Sequence, residues 1–310
     1  MKRTYLSVEK DGVYGAYWPN EKQSEDTMIL MLGDSIDDRL TRSGVRWVKE
    51  QGCNSFTMSP AKGNYGYHNF PLEHFDIVIK FLQEQGTKRI GIVGASTTGM
   101  LALIAASYYS DITLTIAMSP SDFVMEGFYQ GKKDNAREWP GDNESTVSLG
   151  GKPLPYLPFA YRHPEYWQKI KEESKTSKDI ITSRKMFEES ERLHPIQEAE
   201  RIKVERIHGQ ILFIGAEDDV LWNTVKYIKR MDEVLKDKPH SCSCTIMIYE
   251  FGTHFVFPQS LVMKVLPVFG NLLSRVFQSG RAHPKECKNT RIDIDKKLRS
   301  TILNWKLRDN

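Results

Sequence analysis

Cysteine is scarce: the 310 residues hold four, Cys53, Cys242, Cys244 and Cys287, and only the middle pair is close in sequence. A C-x-C pair with no second Cys or His pair beside it is a poor zinc pattern. Four scattered thiols do not make a disulfide framework either, so all four are expected to be reduced, and neither a metal nor a cofactor is expected. An excess of one charge is also missing. Lys and Arg nearly balance Asp and Glu, for a net charge of +3, which implies no general affinity for nucleic acid. No secretory leader is expected, because MKRTYLSVEKDGVYG turns polar at once, and the expected location is cytoplasmic. The most apolar long stretch, Phe255 to Leu273, is broken by Pro258, Gln259, Lys264 and Pro267. It does not read as a membrane span, and no membrane partner is expected. Hydrophobic residues at 40% and charged residues at 27% are ordinary for a globular chain and exclude disordered and fibrous classes.

What is present is alternation. Apolar runs appear at Met28–Leu32, Ser55–Met58, Ile90–Val93, Ile112–Met118, Ile211–Ile214 and Thr245–Tyr249, with a short hairpin expected around Tyr14–Trp18. Between most of them lie stretches of helical period: Leu40–Glu50, Phe75–Gln85, Leu101–Tyr109 and Trp222–Leu235. Strand and helix in alternation predict one α/β domain over residues 1–310, a mostly parallel sheet with helices on both faces. Chemistry in such sheets collects at the carboxyl ends of the strands. The rhythm fails over 122–207, a polar segment containing GKKDNAREWPGDNE, GGKPLPYLP and IKEESKTSKD. A structureless loop of that length is unexpected, so the segment is expected to be a partly helical insertion standing as a lid over the site. Its Lys132, Lys133 and Arg137 are candidates for holding a phosphorylated leaving group. The basic tail carries Ile292, Ile294, Leu298, Ile302, Leu303 and Trp305, the apolar face of a final packed helix.

Residues 90–110 read IGIVGASTTGMLALIAASYYS, a strand, a sharp turn and a helix. Ser96 has two readings there. It is an N-cap whose hydroxyl accepts from the first turn, or a nucleophile thrust above the sheet, as in the G-x-S-x-G elbow. Thr98 stands where that motif has its second glycine, and Gly99 follows one place later. A serine hydroxyl is a weak nucleophile at neutral pH and needs a base within hydrogen-bond reach and an acid behind the base. The strand ILFIG at 211–215 runs into AEDD, placing Asp218 and Asp219 past its end, and TIMIYE runs into FGTHFVFP, placing His254 in the next loop. Three strands thus end in the three groups of a triad, in the chain order Ser, Asp, His. The remaining histidines fall in helices, in the insertion or near strand starts. An oxyanion hole is expected from the Thr97 backbone N–H and a second N–H after MILML, at Asp34 or Ser35.

GASTTGMLAL, SPSDFVMEGF, GGKPLPYLP, ILFIGAEDDVLW and GTHFVFP together resemble the α/β-hydrolase domain of the acyl-CoA thioesterase and bile acid-CoA:amino acid N-acyltransferase family, close to dienelactone hydrolases. The resemblance runs from about Met28 to the C-terminus. It implies an α/β-hydrolase fold, cleavage of an activated acyl ester or acyl-CoA, and Ser96, Asp219 and His254 as catalytic residues, with Asp219 chosen over Asp218 by the D-D-x-x-W register ending at Trp222. Asp218 is then expected to cap the helix opening near Leu221. The chain departs from the family at Thr98, and too few residues precede Met28 for the β-sandwich domain of the animal enzymes. A small-ester or dienelactone-type hydrolase and a binding protein on a decayed fold are the alternatives.

Overall fold

The computed structural model describes residues 3–32, 35–60, 67–128, 143–161 and 165–308. The strands are β1 (Thr4–Leu6), β2 (Gly15–Trp18), β3 (Asp26–Met31), β4 (Asn54–Met58), β5 (Phe70–Pro71), β6 (Arg89–Ala95), β7 (Ile112–Met118), β8 (Val147–Leu149), β9 (Lys152–Pro153), β10 (Gln210–Ala216) and β11 (Ser243–Tyr249). The helices are α1 (Val8–Asp11), α2 (Arg39–Glu50), α3 (Glu73–Glu84), α4 (Thr97–Tyr108), α5 (Tyr166–Ser177), α6 (Arg184–Leu193), α7 (Thr224–Asp237), α8 (Gln259–Val265), α9 (Gln278–Ala282) and α10 (Pro284–Lys306).

Eight strands form one sheet in the order β1-β2-β4-β3-β6-β7-β10-β11. The six from β4 to β11 pair in parallel, and β2 joins antiparallel to both β1 and β4. The hairpin expected around Tyr14–Trp18 is this two-strand edge. From β3 the chain goes to β4 on one side and to β6 on the other, so the strand order reverses between β3 and β6. Loops leave their carboxyl ends in opposite directions there and open a crevice. The fold is an α/β-hydrolase fold.

Side chains of β3 show why the sheet takes helices on both faces. Met28 and Leu30 pack into one core and Ile29 and Met31 into the other, the two-residue alternation of a strand buried on both sides. One core is completed by α2 (Val45, Trp47 and Val48) and α10 (Ile294, Leu298, Ile302 and Trp305). The apolar face expected for the tail is narrower than the sequence suggested: Ile292 and Leu303 are 47% and 56% exposed. They sit on the far side of a helix whose buried stripe is already filled.

The other core holds α3, α4, α7 and most of the insertion. Every residue of α4 from Thr97 to Ala106 is buried, and a helix apolar all round must be covered on all sides. The insertion supplies that cover through Phe123, Val124, Leu157, Phe187, Ile202 and Val204. It is pinned by a partly buried ionic cluster: Arg201 and Arg230 reach the two oxygens of Asp122 at 2.9 and 2.5 Å, and Arg230 and Lys226 both reach Glu191 at 2.7 Å. Lys132, Lys133 and Arg137 lie outside the described residues. Among the described residues no helix is long and apolar enough to cross a membrane.

Candidate active site

Ser96 sits at φ 61°, ψ −129°, and its side chain makes no capping hydrogen bond to α4. The N-cap reading therefore fails, and the serine occupies a backbone conformation that non-glycine residues adopt only under constraint. The constraints are visible. A Cβ on Gly94 would meet the Thr98 carbonyl oxygen at 2.0 Å, so the chain can turn this tightly only over glycine. Gly99 lets α4 press on β7, where a Cβ would meet the Met118 carbonyl oxygen at 2.9 Å. The Ser96 N–H donates to that same carbonyl at 2.8 Å.

Thr98 holds the elbow together. Its hydroxyl accepts from the Ala95 N–H at 3.0 Å and lies 2.5 Å from the Met31 carbonyl and 2.8 Å from the Ala95 carbonyl. It bridges β3 and β6 where the strand order reverses. The close approach usually left to a second glycine passes to Gly99.

His254 follows β11 in a loop where Thr253 has φ 59°. Its Nδ1 lies 2.8 Å from Asp219 Oδ2, with the side chains 2% and 1% exposed. Asp219 is itself oriented: Oδ1 accepts from the Leu221 N–H at 2.9 Å and Oδ2 from the Thr224 hydroxyl at 2.5 Å. The Trp222 ring meets the imidazole edge to face, with centroids 4.8 Å apart and planes at 88°. The indole N–H donates to the Ser119 carbonyl at 3.2 Å, and the Ser119 hydroxyl donates to the His254 carbonyl at 3.1 Å. The other ring nitrogen, Nε2, is buried without a hydrogen-bond partner, and His254 lines the same cavity as Ser96 and Thr97.

Asp218 does not cap a helix. The helix begins at Thr224, where the Asn223 side chain accepts from the Lys226 N–H at 3.1 Å. Asp218 instead clamps the histidine loop: Oδ1 accepts from the N–H groups of Gly252 and Thr253 at 2.9 and 2.7 Å, and Oδ2 from the Ser279 hydroxyl at 2.6 Å. The two adjacent carboxylates thus divide the work. One holds the imidazole and the other holds the loop that carries it. Ser119, Thr224 and Ser279 are the positioning residues that the sequence reading missed, since lone hydroxyls carry no pattern.

Thr97 is the first residue of α4, where backbone N–H groups have no partner within the helix. Ser35 does not line the cavity. Its hydroxyl instead turns back on its own loop, donating to Asp37 at 3.3 Å. Among the described residues of that loop Leu32 reaches the cavity, and Gly33 and Asp34 lie outside the described residues.

The cavity has a volume of about 340 Å³, within the range of small-molecule sites. Its walls beyond the polar end are apolar. Of the described insertion residues only Ile181 contributes, whereas the segment after His254 supplies Phe255, Phe257, Leu261, Val262, Leu266 and Leu273 among others. Among the described residues the cover comes from α8 and the 3-10 turn Gly270–Val276, whereas the lid was expected from 122–207, of which 129–142 and 162–164 lie outside the described residues.

Residues 70–264, more than half of the chain and including Ser96, Asp219 and His254, match the family described as BAAT / acyl-CoA thioester hydrolase C terminal. The chain belongs to that family. It is accordingly a hydrolase. No curated protein matches it in sequence. Among solved structures it is similar to Est1E from Butyrivibrio proteoclasticus, at 12% identity and a TM-score of 0.50, over 99% of this chain and 100% of that one. It is similar to 2,6-dihydroxy-pseudo-oxynicotine hydrolase at 13% and 0.53, over 99% and 68%. The Pyrococcus horikoshii acylaminoacyl peptidase matches at 13% and 0.50, over 96% of this chain and 40% of that one. At such identities these likenesses carry the fold alone.

Proposed function

We propose that this family member cleaves acyl thioesters of the acyl-CoA type, or carboxylic esters, with Ser96 as nucleophile, His254 as general base and Asp219 as the acid that orients it. Ser96 Oγ attacks the substrate carbonyl as its proton passes to His254 Nε2. The imidazolium then protonates the leaving thiolate or alkoxide, and an acyl-enzyme forms on Ser96. Water, deprotonated by His254, attacks that ester and releases the acid. The Thr97 N–H, with a donor from the loop after β3, faces the oxyanion. A serine ester is less activated than a thioester, so water and not an amine is the expected acceptor.

The observation that carries this reading is His254 itself. One nitrogen is fixed by a buried carboxylate while the other is buried, free and on the wall of the cavity that Ser96 shares. A decayed binding site has no need to keep an oriented imidazole with an unpaired nitrogen, which costs desolvation energy. A fluorophosphonate probe should label wild-type protein at Ser96. Ser96→Ala should abolish labelling and lower turnover of acyl-CoA and p-nitrophenyl esters by several orders of magnitude. Folded wild-type protein that fails to label would favour a binding module, and Ser96→Ala with near-wild-type turnover would remove Ser96 from the mechanism.

A further inference from the structure

The cavity roof is apolar on both sides. Leu266 and Leu273 line the cavity, while Val268, Phe269 and Leu272 between them are 78%, 62% and 40% exposed. A surface segment normally turns polar side chains outward, and a cluster of exposed large apolar residues marks an interaction surface. The outward direction is built in: the Gly270 N–H donates to the Leu266 carbonyl at 2.7 Å and the Leu272 N–H to the Phe269 carbonyl at 2.8 Å. Gly270 is buried against Met263, whose sulfur a Cβ would meet at 2.8 Å. Ile180, 61% exposed, lies beside this segment through its N–H bond to the Val276 carbonyl at 2.9 Å.

The roof's own sequence carries charge of one sign, although Lys264 is paired with Glu50 at 2.6 Å. No Asp or Glu occurs from residue 251 to 285, a stretch that contains Lys264, Arg275, Arg281 and Lys285. Arg281 donates to the backbone carbonyls of Arg275 and Lys178, at 2.9 and 2.5 Å, which gathers three cations at the foot of the roof. Among the described residues none of the three forms a salt bridge. Asp179, next in sequence to Lys178, instead accepts from the Gln278 N–H at 2.6 Å. The family match ends at residue 264, before the apex.

We propose that the roof apex Val268, Phe269 and Leu272, flanked by Lys178, Arg275 and Arg281, docks the protein on an anionic lipid surface. An apolar wedge beside unpaired cations is the composition of an interfacial anchor, in which the wedge enters the acyl boundary and the cations meet lipid phosphates. A second copy of the chain fits less well, because a few side chains on a projecting turn fall far short of the roughly 800 Å² per partner of a stable interface. The stretch that is too interrupted to span a bilayer thus lies on one, with the acyl cavity directly beneath. Docking follows from this surface alone. Only the delivery of acyl chains to the cavity rests on the proposed function.

The full chain should sediment with vesicles of equal parts phosphatidylcholine and phosphatidylglycerol, much less with phosphatidylcholine alone, and less as salt rises. Phe269→Ser should weaken that binding by about tenfold, and Lys178→Gln with Arg275→Gln by about fivefold per charge. The thermal midpoint verifies that each variant is folded, and two chemically different variants guard against a local collapse of the roof. The proposal is overturned if wild-type protein stays in the supernatant with anionic vesicles, or if both variants bind as wild type does. It is equally overturned if Phe269→Ser only converts a dimer to a monomer in sedimentation velocity and leaves vesicle binding intact.

Discussion

Asp218 and Asp219 are adjacent carboxylates with different work, and the difference is measurable. In Asp219→Asn the imidazole loses the acceptor that sets its tautomer, and kcat should fall by roughly ten-thousand-fold with the fold intact. Asp218→Ala removes an acceptor of two backbone N–H groups and one hydroxyl. It should cost about 1.5–3 kcal/mol of stability, with a much smaller fall in kcat from a looser histidine loop. Urea denaturation and kcat for the two variants separate the roles, and a catalytic collapse in the Asp218 variant alone would reverse them. Thr98 makes a related case. Thr98→Val keeps the shape and leaves the Ala95 N–H without its acceptor, so a loss of about 1–3 kcal/mol is expected in the same assay; an unchanged midpoint would show that the hydroxyl is dispensable. That Asp219 and not Asp218 meets the imidazole was legible through the resemblance, whose register Trp222 fixed. The clamp of Asp218 was not, since Ser279 lies 61 residues away, and neither was the tether of Thr98 to Met31, which lies 67 residues back in the chain.

At the scale of elements, the strands and helices next to the site were readable because each keeps one period. Ile112–Met118 is β7 to the residue, and Ile90–Val93 is the centre of β6. The roof was not readable. From Phe255 to Leu273 it is mostly apolar and irregularly interrupted by proline and by Gln259, Ser260, Lys264 and Asn271, so no period separates inner from outer face. The packing role of the insertion was hidden for a related reason: its polar surface was visible in sequence, whereas the residues that cover α4 are dispersed along it. What pins it is ionic and should be pH-sensitive. Burial alone would raise the Glu191 carboxyl, but Lys226 and Arg230 outweigh that and hold it below its usual value of 4.5. A lowered folded value means that its stabilisation is complete above the usual carboxylate value and is lost as pH falls through the folded one. Glu191→Gln should therefore cost roughly 1.5–3 kcal/mol near neutrality, and the gap to wild type should close in acid. A constant gap across that range would exclude the pair as its source.

Over the whole molecule the two faces of the sheet stand or fall together, because β3 feeds both cores from alternate residues and α10 returns to close the second one. Trp305 donates to the Thr113 hydroxyl at 2.9 Å and Lys306 to the Gln51 carbonyl at 2.8 Å, so the last helix is tied to the start of β7 and to the end of α2. The thiols provide a readout of this coupling. All four are free. Burial pushes Cys53, between α2 and β4, up to about 12, Cys244, on β11, up to about 12, and Cys287, on α10, up to about 11. Only the thiolate reacts with an alkylating agent. At pH 8 a thiol of pKa near 12 is ionised to on the order of one part in ten thousand, against roughly a quarter for a free cysteine. Native protein treated with iodoacetamide should therefore leave Cys53, Cys244 and Cys287 unmodified for as long as it stays folded. All should be modified together on adding urea, at the midpoint seen by circular dichroism, with peptide mass spectrometry assigning each site. If Cys287 reacted well below the concentration that exposes Cys53 and Cys244, α10 would open on its own, and the face of the sheet it covers would not share the cooperativity of the rest.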